Sequence, residues 1–155
     1  MSAGDPRDAG ETDERPAFLG ALDEDDVATV LSHAQARRYA PGELAIRCGE
    51  ADRSLYVITA GQFEVLVPAP DGPRPVGRLR PGDIFGDLAF FDGEPRSADV
   101  RALEDSEALV MTLAGFDRLR LAHPRLALSF VLDLGRIMSG RFREINRRLM
   151  ALRGP

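Results

Sequence analysis

Between Phe85 and Val100 the chain reads FGDLAFFDGEPRSADV, and this stretch holds the side chains best spaced for chemistry. Gly86 opens a short helix-forming run, Asp87 to Phe91, whose first backbone N–H groups have no intrahelical partner and converge on one point. Arg96 follows the turn Asp92-Gly93-Glu94-Pro95, in which Pro95 biases Glu94 to an extended backbone and returns Arg96 toward the helix start. A phosphate placed there would take backbone N–H bonds and a two-pronged, charge-assisted bond from the guanidinium, with Ser97 adding a hydroxyl or amide donor. Asp87 would repel a bare phosphate, whereas a ribose hydroxyl beside the phosphate is a natural donor to it. The group therefore points to a sugar phosphate. A surface ion pair of Arg96 with Asp87, worth about 0–1 kcal/mol, is the other reading of the same residues.

Elsewhere the chemistry-bearing side chains are sparse. The single Cys48 cannot form an internal disulfide and reads as a small buried hydrophobe beside a turn. The only two histidines, His33 and His123, stand far apart in sequence as helix-end residues with no Cys or carboxylate spaced to complete a metal site.

The elements that must position this stretch follow from texture. Met1 to Pro16 is rich in Asp, Glu, Gly and Pro and reads as a disordered acidic tail, with the folded domain expected over 17–150 and a short tail over 151–155. A short helix is predicted after Phe18, with Asp23 as N-cap and Val27, Val30 and Leu31 on one face. From about Gln35 to Thr112, short runs such as ELAIR, SLYVITA, QFEVLVP, PVGRLR, SADVRAL and EALVMTL alternate with Gly-containing turns, the pattern of a compact β-roll or sandwich. Helical spacing returns in AGFDRLRLAH and, past Pro124, in a long helix to Met150 whose apolar stripe of Leu126, Phe130, Leu134, Ile137, Ile145 and Leu149 is interrupted by Arg141.

Composition bounds the function. The 155 residues, 44% hydrophobic and 29% charged, suit one ordinary domain. A net charge of -5 gives no overall field for nucleic acid or an anionic membrane. All 20 basic residues are Arg, which fits a GC-rich bacterial genome. The start lacks the basic and apolar regions of a signal peptide, and no stretch approaches the roughly 18 apolar residues of a membrane span, so the expected location is cytoplasmic.

The segment FGDLA followed by PRSA closely resembles the phosphate-binding cassette of cyclic-nucleotide-binding domains, the sensor shared by the bacterial catabolite activator, protein kinase A regulatory subunits and cyclic-nucleotide-gated channels. PGELAIRCGEADRSLYVITAGQFEV is similar to the early strands of that family, RLRPGDIFGD to the strand entering the cassette, and the two C-terminal helices to its lid. The PRSADV wording is also similar to domains appended to sulfate-permease-type transporters and bacterial glutaminases. The resemblance implies a mainly β fold, the cyclic-nucleotide-binding β-roll (jelly-roll-like), with a short N-terminal helix and two C-terminal helices, the last one long. It further implies that Arg96 grips a cyclic phosphate, Gly86 and Ser97 supply backbone donors, Leu88 and Ala89 complete the amide cradle, and Asp87 holds the ribose 2′-hydroxyl. Most members carry Glu where this chain has Asp87, shorter by about 1.5 Å, so the cassette must close further or a water must bridge. By position along the long helix, Met138, Arg141, Phe142 and Ile145 are candidates for base contacts. Ser97, rather than Thr, tilts the expected ligand toward cyclic AMP over cyclic GMP.

The expected function is thus regulatory signalling by a bacterial sensor, with a cyclic nucleotide as ligand, no cofactor, no catalytic residues and an effector protein of unknown identity. Few residues follow Met150, so no helix-turn-helix and no direct nucleic-acid binding are expected. Two alternatives stay open. One is a ligand-independent docking module, or a homodimer through the C-terminal helix, with a vestigial cassette. The other is a cupin-type metalloenzyme, which needs metal-binding histidines in the strand region where this chain has none.

Overall fold

The computed structural model describes residues 18–154. The acidic tail expected over Met1 to Pro16 lies outside them. In chain order the elements are α1 (Glu24–Leu31), β1 (Gln35–Tyr39), β2 (Leu44–Ile46), β3 (Leu55–Ala60), β4 (Phe63–Val67), β5 (Arg74–Leu79), β6 (Ile84–Phe85), α2 (Asp87–Asp92), β7 (Asp99–Ala102), β8 (Ser106–Met111), α3 (Leu113–Ala122) and α4 (Pro124–Arg153). Eight antiparallel strands form two four-stranded sheets, ordered β1-β8-β3-β6 and β2-β7-β4-β5, in the expected roll.

Strand alternation divides the interior into two cores. Along β3, Tyr56 and Ile58 point between the sheets, while Leu55 and Val57 point to the helices. Tyr56 and Ile58 meet Phe63, Phe85, Val100 and Val110 inside the roll. On the other face, Leu55 and Ile84 pack with Val30, Phe90, Leu119, Phe130 and Leu134 from four helices. The two-residue strand β6 obeys the same parity, sending Ile84 to the helices and Phe85 into the roll.

The helices are capped as their sequences prescribe. Asp23 accepts a hydrogen bond from Asp26 N at 2.8 Å, Thr112 one from Gly115 N at 3.0 Å, and Pro124 opens α4. Leu119, fully buried, seats α3 against α4, and Asp133 of α4 accepts from Leu19 N at 2.5 Å, tying the start of the described chain to the last helix.

Two expectations are corrected. The last helix ends at Arg153 rather than Met150, so residues 151–153, expected as a tail, form its final turn, because Ala151, Leu152 and Arg153 are good helix formers and the first breaker is Gly154. Cys48 is exposed rather than buried, since it stands on the turn after β2, where its backbone N–H donates to Asp99 Oδ1 at 2.6 Å. The stripe of α4 divides along its length: Phe130 and Leu134 are buried and Ile137 packs on the helical core, whereas Ile145 and Leu149 are more than half exposed because α4 runs past the roll. His33 and His123, 90 residues apart, meet edge to face with ring centroids 6.3 Å apart.

Candidate ligand-binding site

The site begins at a backbone turn that only glycine makes at low cost. Gly86 has φ +79°, and a Cβ there would lie 2.7 Å from Ser54 O and 2.9 Å from Arg96 Nη1. This close approach lets α2 start against the beginning of β3. Phe90 then anchors α2 by edge-on contacts with Phe116 and Phe130, at 5.4 and 6.1 Å. The first-turn N–H groups of Asp87, Leu88 and Ala89 have no helical acceptor.

Arg96 is only 4% exposed, a burial that arginine tolerates when its donors are matched. Its backbone is pinned by Arg96 N to Glu50 O at 2.9 Å and Gly49 N to Arg96 O at 2.8 Å. Nη1 donates to Gly86 O at 2.9 Å, and Nη2 to Ser54 O at 2.6 Å and Asp52 Oδ2 at 3.1 Å. The guanidinium lies 5.9 Å from the ring centre of Tyr56. Its Nε–H is buried and has no hydrogen-bond partner among the described residues.

Asp52 had no signal in the sequence that marked it. Burial pushes its carboxyl up, but hydrogen bonds from Ser54 N, Ser54 Oγ and Arg96 outweigh that and hold it below the usual range. Beside it, burial pushes the Tyr56 hydroxyl far above its ordinary value. Arg53, also unanticipated, donates to the last carbonyls of α2: Ala89 O at 3.2 Å, Phe90 O at 2.9 Å and Phe91 O at 3.3 Å.

Arg96 and Asp87 do not pair with each other. Asp87, 7% exposed, accepts from Arg141 Nη1 of α4 at 3.1 Å, and Arg141 Nη2 donates to Ile84 O at 2.6 Å. The last helix is thereby joined to the cassette.

These groups surround a cavity of about 770 Å³ lined by Gly86, Asp87, Leu88, Ala89, Arg96 and Ser97 on one side and by Arg141 and Ile145 of α4 on another. All six cassette residues named from sequence are thus brought together. Of the four helix candidates, Arg141 and Ile145 reach the cavity. Met138 instead lines an apolar groove of about 840 Å³ with Phe91 and Val131, and Phe142, 64% exposed, lies outside both linings. A spacing argument along α4 could not separate these faces, because which side of a helix meets the cassette depends on how α3 and α4 pack. Among the described residues, no three His, Cys, Asp or Glu side chains cluster as metal ligands, and no helix is long and apolar enough to cross a membrane.

Comparison with known proteins agrees with this geometry. The family model described as a cyclic nucleotide-binding domain matches residues 36–123. Glutaminase 2 of Bradyrhizobium diazoefficiens is 32% identical over 130 residues, covering 84% of this chain and 20% of that protein. The Cyclic AMP receptor protein of Thermus thermophilus is 32% identical over 97 residues, covering 62% of this chain and 44% of that protein. The crystal structure of Thermus thermophilus Catabolite Activator Protein superposes with a TM-score of 0.77 at 27% identity, covering 88% of this chain and 62% of that one. The chain spans between about a fifth and about half the length of these curated relatives. With the family match, two antiparallel sheets in a roll, a buried arginine facing the start of α2 and a long helix over the cavity, the chain belongs to the cyclic nucleotide-binding domain family.

Proposed function

We propose that the chain is a cyclic-nucleotide sensor, binding cyclic AMP in preference to cyclic GMP and signalling to an effector protein through α4. The observation that carries this reading is Arg96, buried beside the first amides of α2 with its Nε–H unpartnered among the described residues. A cyclic phosphate would supply the missing acceptor along the Nε edge of the guanidinium while Nη2 stays on Asp52 and Ser54. Ser97, exposed at the cavity wall, would add a donor. Its presence after Arg96, together with relatives named as a Cyclic AMP receptor protein and a cAMP-activated regulator, supports adenine over guanine.

Asp87 would accept the ribose 2′-hydroxyl, and the same carboxylate holds Arg141. Nucleotide capture and the seating of α4 therefore share one group, which gives a physical route by which binding would reposition the helix. The role is regulatory, with a diffusible ligand and no resident cofactor, and no contact with nucleic acid is required.

Calorimetric titration with cyclic AMP and cyclic GMP, on wild type and Arg96→Ala, tests the reading. We expect saturable binding, tighter for cyclic AMP, and a loss of roughly ten- to hundredfold in the variant, the value of about one charged hydrogen bond. Absence of binding by folded wild type would overturn it.

A second reading has its own observation. Leu128, Val131, Gly135, Met138, Phe142, Ile145, Leu149 and Leu152 recur at alternating steps of three and four along α4, and Leu128, Phe142, Ile145, Leu149 and Leu152 are more than half exposed. Such a seam fits the same helix of a second copy, making the chain a dimerisation module in which Arg141 keeps Asp87 neutralised without nucleotide. Sedimentation of wild type against Phe142→Glu decides whether the seam is used.

A further inference from the structure

We propose that Arg53 is a positioning residue for the anion site: it clamps the C-terminal end of α2 so that the helix's opposite end faces Arg96. The inference rests on the reading of α2 and Arg96 given above. A six-residue helix cannot maintain itself, since each end leaves backbone groups unmatched and nucleation is unfavourable. Phe90 seats α2 in the core, and Arg96 and Arg141 hold its first turn through Gly86 O and Asp87, but these contacts leave the C-terminal end of the helix free to swing. Arg53 removes that freedom by donating to three successive carbonyls, of Ala89, Phe90 and Phe91. Its planar guanidinium lies against Gly93, whose Cβ position is 3.5 Å from Arg53 Nε and Cζ. Gly93 N also donates to Ala89 O, so the helix end is closed by one backbone and three side-chain bonds. A positive charge at this end also complements the helix dipole.

The neighbours of Arg53 give the clamp its significance. Asp52 Oδ2 and Ser54 O hold Nη2 of Arg96, at 3.1 and 2.6 Å. Three consecutive residues, 52 to 54, therefore set both halves of the site, the guanidinium through the outer two and the amides through the middle one. Because Ser54 and Leu55 are buried at the start of β3, this bracket is registered directly to the sheet. Lysine would not substitute, because a single ammonium cannot reach three fanned carbonyls in one plane.

The test compares wild type, Arg53→Ala and Arg53→Lys by amide hydrogen exchange without nucleotide, by melting temperature and by cyclic AMP titration. We expect exchange within 88–92 to quicken about tenfold or more in Arg53→Ala while β8 keeps its protection, as loss of one local tier of hydrogen bonds would give. We expect the affinity to fall about tenfold in Arg53→Ala and to recover with millimolar guanidinium chloride, with Arg53→Lys close to Arg53→Ala. Unchanged exchange in 88–92 would overturn the proposal, as would quickening spread evenly over the sheet with no recovery by guanidinium. If wild type takes up no cyclic nucleotide, the proposed function falls, whereas the exchange comparison still decides the role of Arg53.

Discussion

Replacing Gly86 by alanine tests whether the start of α2 is built on the close approach described above. The left-handed backbone, φ +79°, costs a residue with a side chain about 1–2 kcal/mol. The added Cβ would also stand 2.7 Å from Ser54 O, a backbone atom at the entrance to β3 that cannot withdraw without disturbing the sheet. Overpacking of that kind costs about 1–3 kcal/mol, so the total is about 2–5 kcal/mol. For a domain of this length each kcal/mol lowers the melting point by about 2–4 °C, giving a drop of roughly 4–20 °C in a thermal scan. Gly93→Ala is the matched control: its φ is +69°, but the nearest atoms to a new Cβ are 3.5 Å away on the side chain of Arg53. It should lose only the backbone part, about 1–2 kcal/mol. Calorimetric melting of the two variants side by side therefore isolates the steric component. Equal melting points for Gly86→Ala and Gly93→Ala would refute the argument that Ser54 and Arg96 crowd this turn.

Asp52 has a carboxyl held below its ordinary value of 3.8, so the folded state binds its proton less readily than the unfolded chain does. Its stabilisation is complete above about pH 5 and is lost as pH falls through 3.8 and below, and urea unfolding of Asp52→Asn should show a flatter acid limb than wild type. Arg141→Ala removes both bonds that join α4 to the cassette, and hydrogen exchange from Ser139 onward should quicken while Phe130 and Leu134 stay protected; no change beyond Ser139 would count against the joint. Phe130→Ala, at a site 1% exposed and ringed by Phe18, Phe90 and Phe116, should cost about 3–5 kcal/mol in chemical denaturation, and a cost under about 1 kcal/mol would contradict the packing described.

What the sequence revealed, and what it hid, divides along physical lines. Runs with strong alternation or helix spacing, such as SLYVITA, SADVRAL and DLAFF, became β3, β7 and α2 because local pattern and tertiary burial agree there. The strand QARRY carries no such alternation, and four of its five residues are exposed; it is a strand because the edge of β8 is there to pair with. β6 is two residues long, too short for any period to appear. In the cassette, Gly86, Asp87, Arg96 and Ser97 could be named because their motif is contiguous. Asp52, 44 residues from Arg96, could not, because the buried guanidinium selects its partners from a loop that only folding brings near. Arg141 interrupted the apolar stripe of the last helix, and that break was the available sign of a polar contact, although it identified neither Asp87 nor Ile84 as the partner. His33 and His123 carried no sign of their meeting, since the elbow between α3 and α4 that joins them is a tertiary feature.

Beyond Ile137 the last helix leaves the helical core, and Arg141 makes its final hydrogen bonds to the roll among the described residues. Mechanically this makes a lever with its fulcrum at Arg141. From there to Arg153 the arm is 12 residues, or about 18 Å at the helical rise. A tilt of about 10° at the fulcrum would therefore carry the tip about 3 Å, while Asp87 and Ile84, at the pivot, scarcely shift. A movement too small to repack the cassette becomes, at Leu149 and Leu152, large enough to change which side chains a partner could meet.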